Sequence, residues 1–88
     1  MAQRVVSIGS RSGLHARPAA TFVQAASQAP LPVTIAVNGK APVAADSMLG
    51  VMTLGAGYGD QVTLTAEGEQ AEAVLEELAT LLSKELDA

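Results

Sequence analysis

The stretch SGLHARPAA, residues 12–20, contains the chain's sole histidine, His15, two residues before Arg17. A glycine-bearing loop here turns into an alanine-rich run that reads as a helix from Ala16. Pro18 fits its first turn, where a backbone N–H has no intrahelical acceptor to meet. His15 then occupies the cap position, and the free N–H groups of Ala16 and Arg17 point back toward its ring. An anion held there is favoured by those donors and by the helix dipole, each contact being worth roughly 0.3–1 kcal/mol at an exposed site. Arg17 adds a permanent charge and a fork of donors that matches phosphate oxygens. An imidazole beside an anion cradle suits a phosphoryl acceptor. The neighbouring sequence holds no carboxylate placed to act as a base, and there is no glycine-rich nucleotide loop or paired acidic motif for magnesium. The remaining chemistry would therefore come from partners. The plainer reading is that His15 only caps the helix, although histidine caps poorly compared with Ser, Asp or Asn. Spacing alone leaves both readings open.

The elements that must position this stretch can be read from periodicity. QRVVSI, residues 3–8, is rich in β-branched residues and reads as a first strand. GSRSG, 9–13, is a loop, and a helix runs from Ala16 to about Ser27 with an apolar face of Ala16, Ala19, Ala20, Val23 and Ala26. VTIAV, 33–37, alternates as a half-buried strand; Asn38-Gly39 signals a hairpin, and APVAA, 41–45, returns. Pro42 cannot donate to a ladder, which puts the returning strand at a sheet edge. DSMLGVMTLG, 46–55, reads as a short helix capped by Asp46 or Ser47 and closed by Gly55. QVTLTA, 61–66, is the last strand. An amphipathic helix from about Glu69 to Leu86 buries Ala71, Val74, Leu75, Leu78, Leu81 and Leu82. Glu69 and Glu72 near its start and Lys84 near its end suit the dipole. The order β-α-β-β-α-β-α predicts one α+β domain over residues 1–88, a four-stranded, mainly antiparallel sheet with helices on one face.

Composition narrows the function classes. The 88 residues carry a formal net charge of −4, with no basic stripe and only Phe22 and Tyr58 as aromatics. That excludes the basic face and stacking platforms of nucleic-acid binders. No cysteine is present, so thiolate metal sites and disulfides are out and a reducing cytoplasm fits. One histidine makes zinc an unsuitable cofactor, and no metal is expected. No apolar run is long enough to span a bilayer, and the N-terminus carries no signal-peptide pattern.

GLHARPAA, followed at the expected distance by SMLGVMTLGA, resembles the histidine-containing phosphocarrier family, HPr, of the bacterial phosphoenolpyruvate-dependent sugar phosphotransferase system. The resemblance covers essentially the whole chain. It implies an open-faced β-sandwich with strand order 1-4-2-3, whose edge position for the third strand agrees with Pro42. It implies that His15 accepts a phosphoryl group on Nδ1 from phospho-enzyme I and passes it to a IIA component of a sugar permease. Arg17 would screen its charge, and the backbone N–H groups of Ala16 and Arg17 would bind it, with no cofactor. Leu14, Met48, Leu49 and Met52 match positions that form an apolar partner-binding patch around the histidine, where methionine suits several partners. A run such as MLGVM on a short helix is otherwise more often core, as Val51 and Leu54 are expected to be. A monomer in the cytoplasm is expected.

Ser47 matches the serine that, in some Gram-positive bacteria, is phosphorylated by HPr kinase/phosphorylase and makes the protein a corepressor with a catabolite-control regulator. This chain departs from the pattern: APVAADS runs one residue longer, and Asp46 directly precedes the serine. The plain role of Ser47 is a helix cap. Two alternatives stay open: a small acylphosphatase-type enzyme, whose glycine-rich loop to a buried arginine is missing here, and a purely regulatory relative that retains His15.

Overall fold

A computed structural model describes residues 1–37 and 39–84. β-branched and alternating segments form four strands, β1 (Ala2–Ser7), β2 (Val33–Val37), β3 (Val43–Ala44) and β4 (Gln61–Ala66). They make one antiparallel sheet in the order β1-β4-β2-β3, with Val5 opposite Thr63 and Ile35 opposite both Leu64 and Val43. β3 is at the edge, as Pro42 requires, and is only two residues long. Lys40 N–H donates to Val37 O across the turn between β2 and β3 at 2.9 Å; Asn38, half of the expected hairpin signal, lies outside the described residues.

Period-two alternation sends Val33, Ile35, Val62, Leu64 and Ala66 to one face of the sheet, where they are buried. Three helices cover that face: α1 (Ala16–Ser27), α2 (Met48–Thr53) and α3 (Ala71–Leu82). The opposite face stays open, and Val5 on it is 58% exposed. The buried stripe of α1 is Pro18, Ala19, Phe22 and Ala26. It is rotated from the expected one: Ala16 and Ala20 face outward, because Phe22, the larger side chain, claims the core. On α3, Ala79 is buried with the expected stripe while Leu81 is half-buried. Glu69 precedes the cap residue Gln70, Glu72 lies in the first turn, and Lys84 follows the cap Ser83. The end expected near Leu86 falls outside the described residues.

Candidate functional site

The segment between β1 and α1 is held from two sides. On one side is the C-terminal end of α3: Gly9 N–H donates to Leu82 O at 2.9 Å, and the buried Ser10 hydroxyl donates to Lys84 O at 3.3 Å. On the other is the turn before β4. Ile8 N–H donates to Asp60 O, Gly59 N–H to Ile8 O, and Leu14 N–H to Ala56 O, each at 2.9 Å. Gly13 is obligatory in this arrangement. Its φ is +76°, and a Cβ there would come 2.6 Å from Ala56 O.

Leu14 is 1% exposed and belongs to the main core cluster. This corrects its expected place on an exposed partner-binding patch. With Leu14 anchored inward, the extended backbone of His15 (φ −115°, ψ 164°) carries the imidazole outward, where it is exposed. His15 is the cap residue of α1 by position, but its side chain makes no capping bond. The capping reading therefore loses its support. The backbone carbonyl of His15 accepts the first helical bond, from Ala19 N–H at 3.1 Å.

Ala16, next in line, has φ +29°, in the half of backbone space that residues with a Cβ avoid. Such a conformation costs on the order of 1–3 kcal/mol and persists only where the surroundings enforce it. The surroundings here are Leu14 locked on one side and the helix on the other. Among the described residues, no acceptor meets the N–H of Ala16 or Arg17, as expected for the first turn of a helix. The Arg17 side chain is exposed and likewise has no acceptor among them; its backbone carbonyl takes the Thr21 hydroxyl at 3.0 Å. His15, Ala16 and Arg17 are thus three consecutive exposed residues whose donors have no acceptor among the described residues.

α2 lies beside this surface. It packs against α1, and only Leu54 and Gly55 separate its last residue from Ala56, whose carbonyl holds Leu14. Leu49 is 77% exposed and Met52 41%, while Val51 and Leu54 are buried. Met48 is half-buried and packs on the core. The patch is thus Leu49 and Met52 with the edge of Met48. Ser47 caps α2, its hydroxyl accepting from Gly50 N–H at 3.1 Å; Asp46 is exposed and takes no part in that bond.

Four features had no clear signal in the sequence. The strain at Ala16 falls on an alanine, which gives no hint of positive φ. Leu14 sits in a loop, where no periodicity marks burial. The bond partners of Ser10 and Leu14 lie far along the chain. Asp60 bonds the Gly57 N–H through Oδ2 at 2.9 Å, and only its position in a turn pointed to it.

Among the described residues, no cluster of three or more His, Cys, Asp or Glu side chains could hold a metal ion, and no helix is long and apolar enough to cross a membrane.

The strand order, the three covering helices and a lone exposed histidine at a helix N-terminus define a small open-faced α+β sandwich. The family profile described as the PTS HPr component phosphorylation site matches residues 2–84. The chain is 49% identical to the phosphocarrier protein HPr of Streptomyces coelicolor over 99% of this chain and 94% of that one. It is 41% identical to the HPr-like protein Crh of Bacillus subtilis over 98% of this chain and all of the other. The crystal structure of an HPr from Bacillus anthracis superposes with a TM-score of 0.85 at 42% identity, covering 92% of this chain and 95% of that one. The chain belongs to the HPr family of phosphocarriers of the phosphotransferase system.

Proposed function

We propose that the chain relays a phosphoryl group on His15, taking it from phospho-enzyme I and giving it to a IIA component of a sugar permease. The observation that carries this reading is the exposed imidazole at the N-terminus of α1, beside the N–H groups of Ala16 and Arg17, none of them with a bond partner among the described residues. The Nδ1 lone pair of His15 attacks phosphorus in line as the phosphorus–nitrogen bond to the donor histidine breaks. The donor imidazole leaves with that electron pair. Transfer onward repeats the exchange with the acceptor's imidazole as nucleophile. Arg17 and the two N–H groups meet the equatorial oxygens, whose charge is the main demand of such a transition state. Leu49 and Met52 give partners a small apolar foothold, suited to a complex that must release in each cycle. A single copy of the chain is sufficient for this, and the carrier acts as a monomer in the cytoplasm.

The test is labelling from radioactive phosphoenolpyruvate with enzyme I, comparing the natural sequence with His15→Ala. Acid-labile, base-stable label confined to the natural sequence is expected. A folded natural sequence that stays unlabelled by its own host's enzyme I would overturn the reading.

A second role is regulation at Ser47 by HPr kinase/phosphorylase, acting through a catabolite-control regulator. Its support is the likeness to Crh together with the position of Ser47 at the head of α2, beside the patch. Incubation with such a kinase and ATP should label Ser47, and no label on Ser47 would remove this role.

A further inference from the structure

We propose that Asp60 is a positioning residue for His15, acting through the peptide bond between Ala56 and Gly57; this rests on the reading of His15 as the phosphoryl acceptor.

That one peptide plane is held at both ends. Its N–H, from Gly57, donates to Asp60 Oδ2 at 2.9 Å. Its C=O, from Ala56, accepts the N–H of Leu14 at 2.9 Å. Leu14 is the residue before His15. The same peptide is also the surface on which Gly13 rests, since a Cβ on Gly13 would meet Ala56 O at 2.6 Å and the Gly57 Cα at 2.9 Å. Rotation of this plane would therefore move the backbone that delivers the imidazole.

Asp60 makes three bonds in this turn, one of them directly to the plane. Its carboxylate takes the Gly57 N–H in a charge-assisted bond. Its own N–H donates to Gly57 O at 3.0 Å, closing the turn. Its carbonyl takes the N–H of Ile8 at 2.9 Å, tying the turn to the end of β1. The last two bonds belong to the backbone and survive substitution by alanine or asparagine. Only the carboxylate bond is specific to the residue type. A negative oxygen on the N–H end also polarises the peptide, making Ala56 O a better acceptor for Leu14. Asp60 itself is exposed, so replacing it opens no cavity.

This identifies what the strained Ala16 is braced against. The chain turns into α1 at positive φ immediately after His15. A loose Leu14 would let that strain relax by moving His15 rather than by holding it. Misplacing a reacting group by about 1 Å can cost about 100-fold in rate.

The experiment compares Asp60→Ala with Asp60→Asn. Asparagine keeps an acceptor oxygen at the same reach; alanine does not. Two readouts are taken. The first needs no partner: amide exchange of Leu14 and the imidazole signals of His15 by NMR. The second is single-turnover phosphoryl transfer from phospho-enzyme I, with its concentration varied. Asp60→Ala is expected to speed exchange at Leu14, shift the His15 ring signals and lower the maximal transfer rate about tenfold, with half-saturation unchanged. Asp60→Asn, which keeps the bond and loses only its charge, is expected to restore most of all three, which a general loss of folding would not do. An Asp60→Ala variant with natural Leu14 protection and His15 signals overturns the proposal. So does equal damage in both variants. Failure of the natural sequence to accept label would instead strike the reading of His15, while the NMR comparison still decides whether Asp60 sets its position.

Discussion

Gly9 lies directly against the carbonyl of Ser83. A Cβ on Gly9 would overlap Ser83 O and Ser83 C, while the Gly9 N–H reaches Leu82 O at 2.9 Å. The C-terminal end of α3 is therefore seated on the first residue of the His15 loop, with no side chain between them. Gly9→Ala must push backbone from backbone, and neither can yield by a rotamer change. The expected cost is about 1–3 kcal/mol, the range for forced overpacking, read as a lower urea midpoint at unchanged slope. Amides of the loop from Gly9 to Leu14 should lose protection before those of β2.

Leu14 and Met52 separate core from the proposed docking surface. Leu14 is enclosed, and Leu14→Ala is expected to cost about 2–5 kcal/mol. Met52 is 41% exposed and is not one of the buried core residues. Met52→Ala should stay within about 0.5 kcal/mol of the natural stability. It should instead raise the concentration of enzyme I that half-saturates phosphoryl transfer. Denaturation and transfer kinetics on the same two variants check the division; a Leu14→Ala protein of natural stability would restore Leu14 to the exposed patch.

The architecture was legible because its signals are local. Alternation gave β2 and β4 their residues, Pro42 gave the edge, and Ser47 gave the start of α2. The helix ends and buried stripes were less so, because packing decided between nearly equivalent faces: Phe22 took the place expected of Ala16 and Ala20 on α1. In the site, His15 and Arg17 stood out by residue type and spacing. What braces them did not. Ala56, Asp60, Leu82 and Lys84 act from distant points in the chain, all four through backbone carbonyls whose use no residue type announces, and Asp60 through its carboxylate as well.

The strain at Ala16 yields a prediction in which stability and function move in opposite directions. At φ +29°, the alanine Cβ opposes the turn, and glycine removes the conflict. Left-handed backbone costs a residue with a Cβ about 1–2 kcal/mol. Added glycine freedom in the unfolded chain takes back about 0.4–1 kcal/mol. Ala16→Gly should therefore be as stable as the natural sequence or more so, by up to about 1.6 kcal/mol. The freed backbone should hold His15 and its N–H groups less firmly, slowing phosphoryl transfer several-fold. A clear fall in stability would mean that Ala16 contributes packing that outweighs its strain.

Ser47 offers the sharpest separation of a structural role from a regulatory one. Its hydroxyl satisfies the Gly50 N–H at 3.1 Å, and alanine leaves that donor without its cap. Ser47→Ala should cost about 1 kcal/mol, the usual worth of such a cap. Ser47→Asp keeps an acceptor at the same place and adds a negative charge where the helix dipole favours one. It should fold with close to natural stability. A phosphoryl group would bring about 1.5–2 negative charges to the same spot, so any inhibition should act on association rather than folding. The charge sits just ahead of Met48 and Leu49, at the edge of the docking patch. Ser47→Asp is expected to weaken binding of enzyme I, most at low salt, while Ser47→Ala binds normally despite its lower stability. Titration of enzyme I with the three proteins at two salt concentrations decides it. Equal affinity for Ser47→Asp and the natural sequence would leave Ser47 a cap and nothing more.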